Sequence, residues 1–193
     1  RVDLEGQPII EADANYVVNT QRGTKLEKLG IMIQTPEHVL AALVGCDLDN
    51  VIIELNASEL PIMDGSSKYF VEAIEKVGVI EQEAERKIFV VKDVISYLDE
   101  ATGSEITVIP SDNYCVTAMV DFGTKVLGTQ NATMKNIAEF KTEIADCRTF
   151  SFLHELESLL NNGLIKGGDL NNAIVYVDKE ISAETMENLK KAF

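Results

Sequence analysis

Residues 35–45, TPEHVLAALVG, contain the signals of one complete short helix. Thr35 can cap the helix, and Pro36 suits its first position because the fixed φ of proline matches helical geometry. Gly45 marks the end of the helix. The apolar run VIIEL at residues 51–55 follows and predicts a buried strand. The first part of the chain is therefore expected to mix helix and strand.

Strand-like runs lie on both sides of this helix. Residues 16–18 and 31–33 are separated by polar residues and glycines, which predicts a small antiparallel unit. Residues 70–77 have apolar side chains at helical spacing. Farther along, long strand-like runs are joined by short polar turns, which is typical of a meander. These runs cover residues 88–98, 105–110 and 114–122.

A polar, acidic segment, EQEAER at residues 81–86, separates the first part of the sequence, with its mixed helices and strands, from the long strand-like runs that follow. We therefore predict a first domain over residues 1–80, a linker over residues 81–86 and a second domain over residues 87–193. Within the second domain, residues 137–144 are predicted to be helical, and Ser182 is expected to cap the final helix.

The composition indicates a folded protein that does not bind nucleic acid. The 193 residues include 17 Lys and Arg against 32 Asp and Glu, and the net charge of −15 repels phosphate backbones and anionic membranes. No apolar run is long enough to cross a membrane, and residues 1–6 do not resemble a signal peptide. Cys46, Cys115 and Cys147 are far apart, which favours reduced thiols in a cytoplasmic protein.

The dipeptide Glu37-His38 is a candidate for metal-assisted chemistry. At the start of a helix, a histidine can bind a metal while its neighbouring carboxylate takes a proton from water. The alternative, which the dipeptide alone favours, is that Glu37 complements the helix dipole and His38 has no special role. A catalytic zinc usually has three protein ligands, and the sequence has only one other histidine, His154, beside Glu155 and Glu157. The chain is not expected to complete a zinc site alone.

An apolar stripe near the end of the sequence predicts a helix that stops at Asn162. The stripe consists of Leu153, Leu156, Leu159 and Leu160. The glycine-rich residues 163–168 match neither phosphate-loop pattern and suit an ordinary turn after a helix. A strand is predicted over residues 173–177. This β-α-β arrangement could close around a long apolar chain, although leucine stripes are more often part of a protein core.

Five segments together resemble the UDP-3-O-acyl-N-acetylglucosamine deacetylase family, the zinc enzymes of lipid A synthesis in Gram-negative bacteria. These segments are TPEHVLAAL at 35–43, DNV at 49–51, PIMDGS at 61–66, CRTF at 147–150 and GGDLNNA at 167–173. Their order and spacing match across nearly the whole chain. The resemblance implies an α+β fold with two similar small domains, each a β-sheet layered against helices. It places the active site between them and a β-α-β insert at about residues 150–177.

The resemblance also implies roles for individual residues. It makes Glu37 the general base, His38 a ligand of Zn²⁺ and Thr149 a hydroxyl donor to the oxyanion that forms when the amide is hydrolysed. The substrate would be a UDP-linked, acylated glucosamine that loses its N-acetyl group. The insert would form a passage for the acyl chain. Its wall would include Phe150, Leu153, Leu156, Ile165, Gly168, Ala173 and Val175.

The match to the family is incomplete at both ends. The family's opening strands and its remaining zinc ligands have no counterpart between Arg1 and Phe193, so we expect this chain to be an inactive fragment of a zinc-dependent deacetylase. The resemblance also allows a parent protein that is fused to a 3-hydroxyacyl-carrier-protein dehydratase. A non-catalytic module that binds lipid or a partner is the alternative. The joint presence of Glu37, His38 and Thr149 favours the enzyme.

Overall fold

The computed structural model describes residues 1–162 and 168–192. Its first part begins with an antiparallel sheet of three strands in the order β1-β2-β3. They are β1 (Val17–Asn19), β2 (Lys25–Lys28) and β3 (Ile31–Gln34). Leu29 and Gly30 join β2 to β3 with φ angles of 52° and 77°. Positive φ at both positions is typical of a tight hairpin turn, and the predicted antiparallel unit is confirmed.

Two helices follow the sheet: α1 (Glu37–Gly45) and α2 (Lys68–Val77). Pro36, and not Thr35, occupies the N-cap of α1, so the prediction for Thr35 is wrong. Thr35 has a left-handed φ of 57°, and its hydroxyl donates to a carboxylate oxygen of Glu59 at 2.9 Å. The hydroxyl is therefore not used to cap the helix.

The predicted strand over residues 51–55 is absent from the part of the chain that the structure describes. Ile52 is 87% exposed, and Val51 and Ile53 are also exposed. The backbone amide of Val2 donates to the carbonyl of Leu55 at 2.8 Å, but no ladder of such bonds forms there. An apolar run needs an adjacent strand before it can become part of a sheet, and these residues lack one in the described structure.

The second part contains two separate hairpins instead of the predicted meander of three strands. Strand β4 (Ile95–Asp99) pairs with β5 (Ser104–Val108), and β6 (Val116–Asp121) pairs with β7 (Thr129–Met134). Both pairings join antiparallel strands that are neighbours in sequence, so β6 pairs forward with β7 and not back with β5. The largely polar sequence of β7, TQNATM, gave no signal of a strand.

A β-α-β unit follows, as expected. Strand β8 (Phe150–Phe152) pairs in parallel with β9 (Ile174–Tyr176), and α3 (Leu153–Asn161) lies between them in sequence. The last helix, α4 (Ala183–Ala192), starts after Ser182. The Ser182 hydroxyl accepts a hydrogen bond from the Thr185 amide at 3.0 Å, which confirms Ser182 as the cap.

These helices and small sheets confirm the α+β class. The predicted domain boundaries remain predictions. Arg86, at the end of the predicted linker, forms ion pairs of 2.7 Å with Asp47 and Asp49, so the linker is fastened to the residues that follow α1. None of the described helices combines the length and apolar composition needed to cross a membrane.

One core cluster joins the two parts of the chain. Its buried members are Ala42, Val71, Met134, Phe140 and Ala145. The predicted helix at 137–144 is realised as a 3₁₀ turn (Ile137–Glu139) followed by a π turn (Phe140–Ile144). The second turn places the ring of Phe140 against Gly45. A Cβ at Gly45 would lie only 1.9 Å from Cδ1 of Phe140, so α1 ends with glycine for reasons of packing.

Replacement of Gly45 by alanine should therefore destabilise the protein by about 1–3 kcal/mol, because the buried ring must shift. Chemical denaturation of the Gly45→Ala variant measures this loss. Val44→Ala is the matched control, since Val44 is half exposed on the same helix. We expect a change of about 0.5 kcal/mol or less for that control. Equal stability of Gly45→Ala and the wild type would contradict the packing.

Candidate active site

Glu37 lies in the first turn of α1, where the free backbone amides of a helix favour a negative charge. Its Oε2 accepts a hydrogen bond from the backbone amide of Thr24 at 3.2 Å. The turn between β1 and β2 also approaches Oε1, because a Cβ at Gly23 would lie 3.4 Å from that oxygen. The carboxylate of Glu37 is therefore half-buried between the start of α1 and this turn.

His38 is also half-buried, and its backbone is fixed by α2. The hydroxyl of Ser67, just before α2, donates to the carbonyl oxygen of His38 at 2.9 Å. Within residues 1–162 and 168–192, no group of three or more His, Cys, Asp or Glu side chains is arranged to hold a metal ion. The described residues therefore do not form a complete zinc site around His38.

The loop at residues 61–67 connects α1 to Thr149. The backbone amide of Thr149 donates to the carbonyl of Gly65 at 2.7 Å, and the amide of Ser67 donates to the carbonyl of Ala145 at 3.0 Å. Since Ser67 also bonds to His38, one short loop holds both the helix that carries Glu37 and the segment that carries Thr149.

Arg148 adds further contacts at the junction formed by the loop at residues 61–67. Its Nε donates to the carbonyl of Asp64 at 2.6 Å, and its Nη2 donates to the carbonyl of Leu170 at 3.3 Å. The segment that contains Leu170 is thereby held close to the same loop. The segments at 61–66 and 147–150 and the described part of the third segment, residues 168–173, thus meet at one place.

The hydroxyl of Thr149 is left available for other partners. Among the described residues, no hydrogen bond involves Oγ1 of Thr149, and the residue is only half-buried. The position of Thr149 is set instead by its backbone, because its carbonyl accepts from the amide of Ile174 at 2.9 Å. This arrangement fits a hydroxyl that donates to a substrate.

The predicted wall residues lie on different sides of the β8-β9 pair. The ring of Phe150 makes edge-to-face contacts with Phe122, Phe152 and Tyr176 at centroid distances of 5.3–5.8 Å. Leu156 is buried with Leu159 and Leu189, and Leu153 and Val175 pack against this cluster. Gly168 and Ala173 are half-buried, and Ile165 lies outside the described residues. The acyl passage itself remains a prediction.

The pairing of His154 with Asp178 was not predicted from the sequence. Nδ1 of His154 lies 2.6 Å from Oδ1 of Asp178, whose side chain is 2% exposed. The imidazole also stacks on Phe152. His154 is thus part of the packing of the β-α-β unit and not a residue of a solvated helix face. The available signal for Asp178 was an acidic residue directly after the apolar strand predicted over residues 173–177.

Comparison of the chain with known proteins identifies its family. Residues 1–190 match the family described as LpxC, UDP-3-O-acyl N-acetylglycosamine deacetylase. The chain belongs to this family. A bifunctional enzyme LpxC/FabZ of Bacteroides thetaiotaomicron is 45% identical over 189 residues, which are 98% of the chain and 41% of that protein. A UDP-3-O-acyl-N-acetylglucosamine deacetylase of Thermosynechococcus vestitus is 39% identical over 176 residues, 91% of the chain and 60% of that protein.

A similar deacetylase of Chromohalobacter salexigens is 37% identical over 187 residues, 95% of the chain and 61% of that protein. The LpxC-family chain therefore spans roughly two to three fifths of the length of these curated relatives. The predicted family resemblance is confirmed over nearly all of the chain.

Gly65 offers a direct test of the junction. Its φ is +85°, and an added Cβ would lie 2.3 Å from the carbonyl oxygen of Asn172 and 3.0 Å from Cγ2 of Thr149. Gly65→Ala should therefore lower the free energy of unfolding by about 2 kcal/mol or more, from backbone strain together with the steric clash.

The matched control is Gly103→Ala. Gly103 has a φ of +72°, but an added Cβ there would meet nothing within 4 Å, so this variant carries the backbone strain alone. Denaturation of both variants should show a larger loss for Gly65→Ala. Equal losses would contradict the close approach of Gly65 to Asn172.

Proposed function

We propose that the intact protein that carries this chain hydrolyses the N-acetyl group of a UDP-3-O-(3-hydroxyacyl)-glucosamine in lipid A synthesis. Membership of the LpxC family and the names of the curated deacetylases support this reaction. The observation that carries the proposal is the junction at residues 61–67, which holds the Glu37 helix and the Thr149 segment together. The proposed substrate class follows from the family name.

In the proposed reaction, Glu37 removes a proton from the water that attacks the acetamide carbon. The C–N bond then breaks to release acetate and the free amine, and the nitrogen takes up a proton from a group outside the described residues. This position suits a base because the backbone amide of Thr24 holds the carboxylate in place. The available hydroxyl of Thr149 donates a hydrogen bond to the oxyanion that forms before the bond breaks.

Zn²⁺ would polarise the acetamide carbonyl in such an enzyme, and His38 is the ligand that this chain would contribute. The described residues alone do not fit a complete zinc site, because no three His, Cys, Asp or Glu side chains come together among them. We therefore infer that further ligands come from outside the described residues. We also infer that the 193-residue chain alone is inactive.

The surroundings of the reaction are part of the same proposal. We place the protein in the cytoplasm, which suits three free cysteines and an acidic chain. The relatives named as bifunctional LpxC/FabZ enzymes support a parent protein that carries a fused dehydratase domain. The acyl passage would lie in the β-α-β unit, near Phe150 and Ala173.

The direct test is Glu37→Gln in the intact protein. Glutamine can still accept the hydrogen bond from Thr24 but cannot take up a proton, so kcat for acetate release should fall by about 10²–10⁴ with little change in melting temperature. Glu72→Gln, at an exposed position of α2, is the control and should retain full activity. Normal turnover by Glu37→Gln would remove Glu37 from the mechanism. Acetate release below detection in the wild-type intact protein would favour the non-catalytic binding module.

A further inference from the structure

The turn between β1 and β2 contacts two distant parts of the molecule. On one side, the Thr24 amide donates to the Glu37 carboxylate. On the other, Nη2 of Arg22 lies 2.7 Å from Oε1 of Glu155, the third residue of α3. One turn of the first sheet therefore joins the candidate general base to the β-α-β unit.

The backbone of this turn connects Arg22 closely to Glu37. Arg22 has a left-handed φ of 58°, and the next residue, Gly23, approaches Oε1 of Glu37 closely enough that a Cβ would lie 3.4 Å away. Only Gly23 separates Arg22 from the amide that binds the carboxylate. The ion pair of Arg22 is therefore two residues from the hydrogen bond at Glu37.

Glu155 is in turn connected to the segment that begins with Thr149. Its second oxygen, Oε2, accepts from the backbone amide of Phe152 at 3.5 Å. Phe152 contacts the ring of Phe150, which directly follows Thr149. The Arg22–Glu155 ion pair therefore lies between the elements that hold the two candidate catalytic side chains.

We propose that Arg22 and Glu155 are positioning residues of the deacetylase, and that their ion pair fixes Glu37 relative to the Thr149 segment. This inference rests on the proposed function. The side chains are 42% and 28% exposed, so the pair is of the kind that water and salt weaken and that opens readily. It adjusts the geometry of the base and does not maintain the fold.

The test uses Arg22→Gln, Glu155→Gln and the charge-swapped double variant Arg22→Glu/Glu155→Arg in the intact protein. Each single variant should increase amide hydrogen exchange in residues 20–28 by about two- to five-fold, the range expected for loss of an exposed ion pair. Each should lower kcat by a similar factor and leave KM unchanged, because the base moves while substrate contacts stay. The double variant should restore both values towards the wild type.

The control is Glu11→Gln, which removes one negative charge, as Glu155→Gln does. It breaks the ion pair of Glu11 with Lys28, a residue of β2. It should change neither kcat nor exchange at residues 22–24, because Lys28 does not contact Glu37. Unchanged exchange in both single variants, or a double variant that is not restored, would overturn the proposal. So would a raised KM in Arg22→Gln with normal kinetics in Glu155→Gln, since Arg22 would then bind substrate directly.

The exchange measurement needs no substrate, so it separates this proposal from the proposed function. Suppose that the intact protein has no deacetylase activity but its exchange responds to the charge changes as expected. That result would establish the ion pair but would overturn both the assigned reaction and the positioning role. A normal deacetylase whose exchange and kcat ignore the charge changes would overturn the positioning role alone.

Discussion

The site depends on the hydrogen bond from the amide of Thr149 to the carbonyl of Gly65. This 2.7 Å bond joins a loop of the first part of the chain to the strand that starts the β-α-β unit. The same loop holds the backbone of His38 through Ser67 and receives Arg148 at Asp64. Only glycine fits at residue 65, because the backbone is left-handed and Asn172 lies against it.

Features set by neighbouring residues could be predicted from the sequence. Helix α1, the cap at Ser182 and helix α3 all have local signals. Features that need a distant partner could not. The run at 51–55 has the composition of a strand without an adjacent strand in the described structure, and β6 pairs with a polar strand that no pattern indicated.

The same division applies to the candidate site. The resemblance identified Glu37, His38 and Thr149, and the structure brings their segments together through residues 61–67. The sequence alone could not reveal the pairing of Arg22 with Glu155, because charged side chains in a strongly acidic sequence have many possible partners. Leu156 and Val175 show a related ambiguity, since an apolar stripe suits both a protein core and the wall of a passage.

In the proposed reaction, the Thr149 hydroxyl acts on the same amide as Glu37 while the Thr149 backbone holds the site together. Acetate release by Thr149→Val and Thr149→Ser in the intact protein tests it most directly. Valine keeps the shape and the backbone bond but lacks the hydroxyl, so kcat should fall by about 10²–10³ with an unchanged melting temperature. Serine should retain most of the activity. Wild-type turnover by Thr149→Val, or an equal loss in both variants, would contradict this role of the hydroxyl.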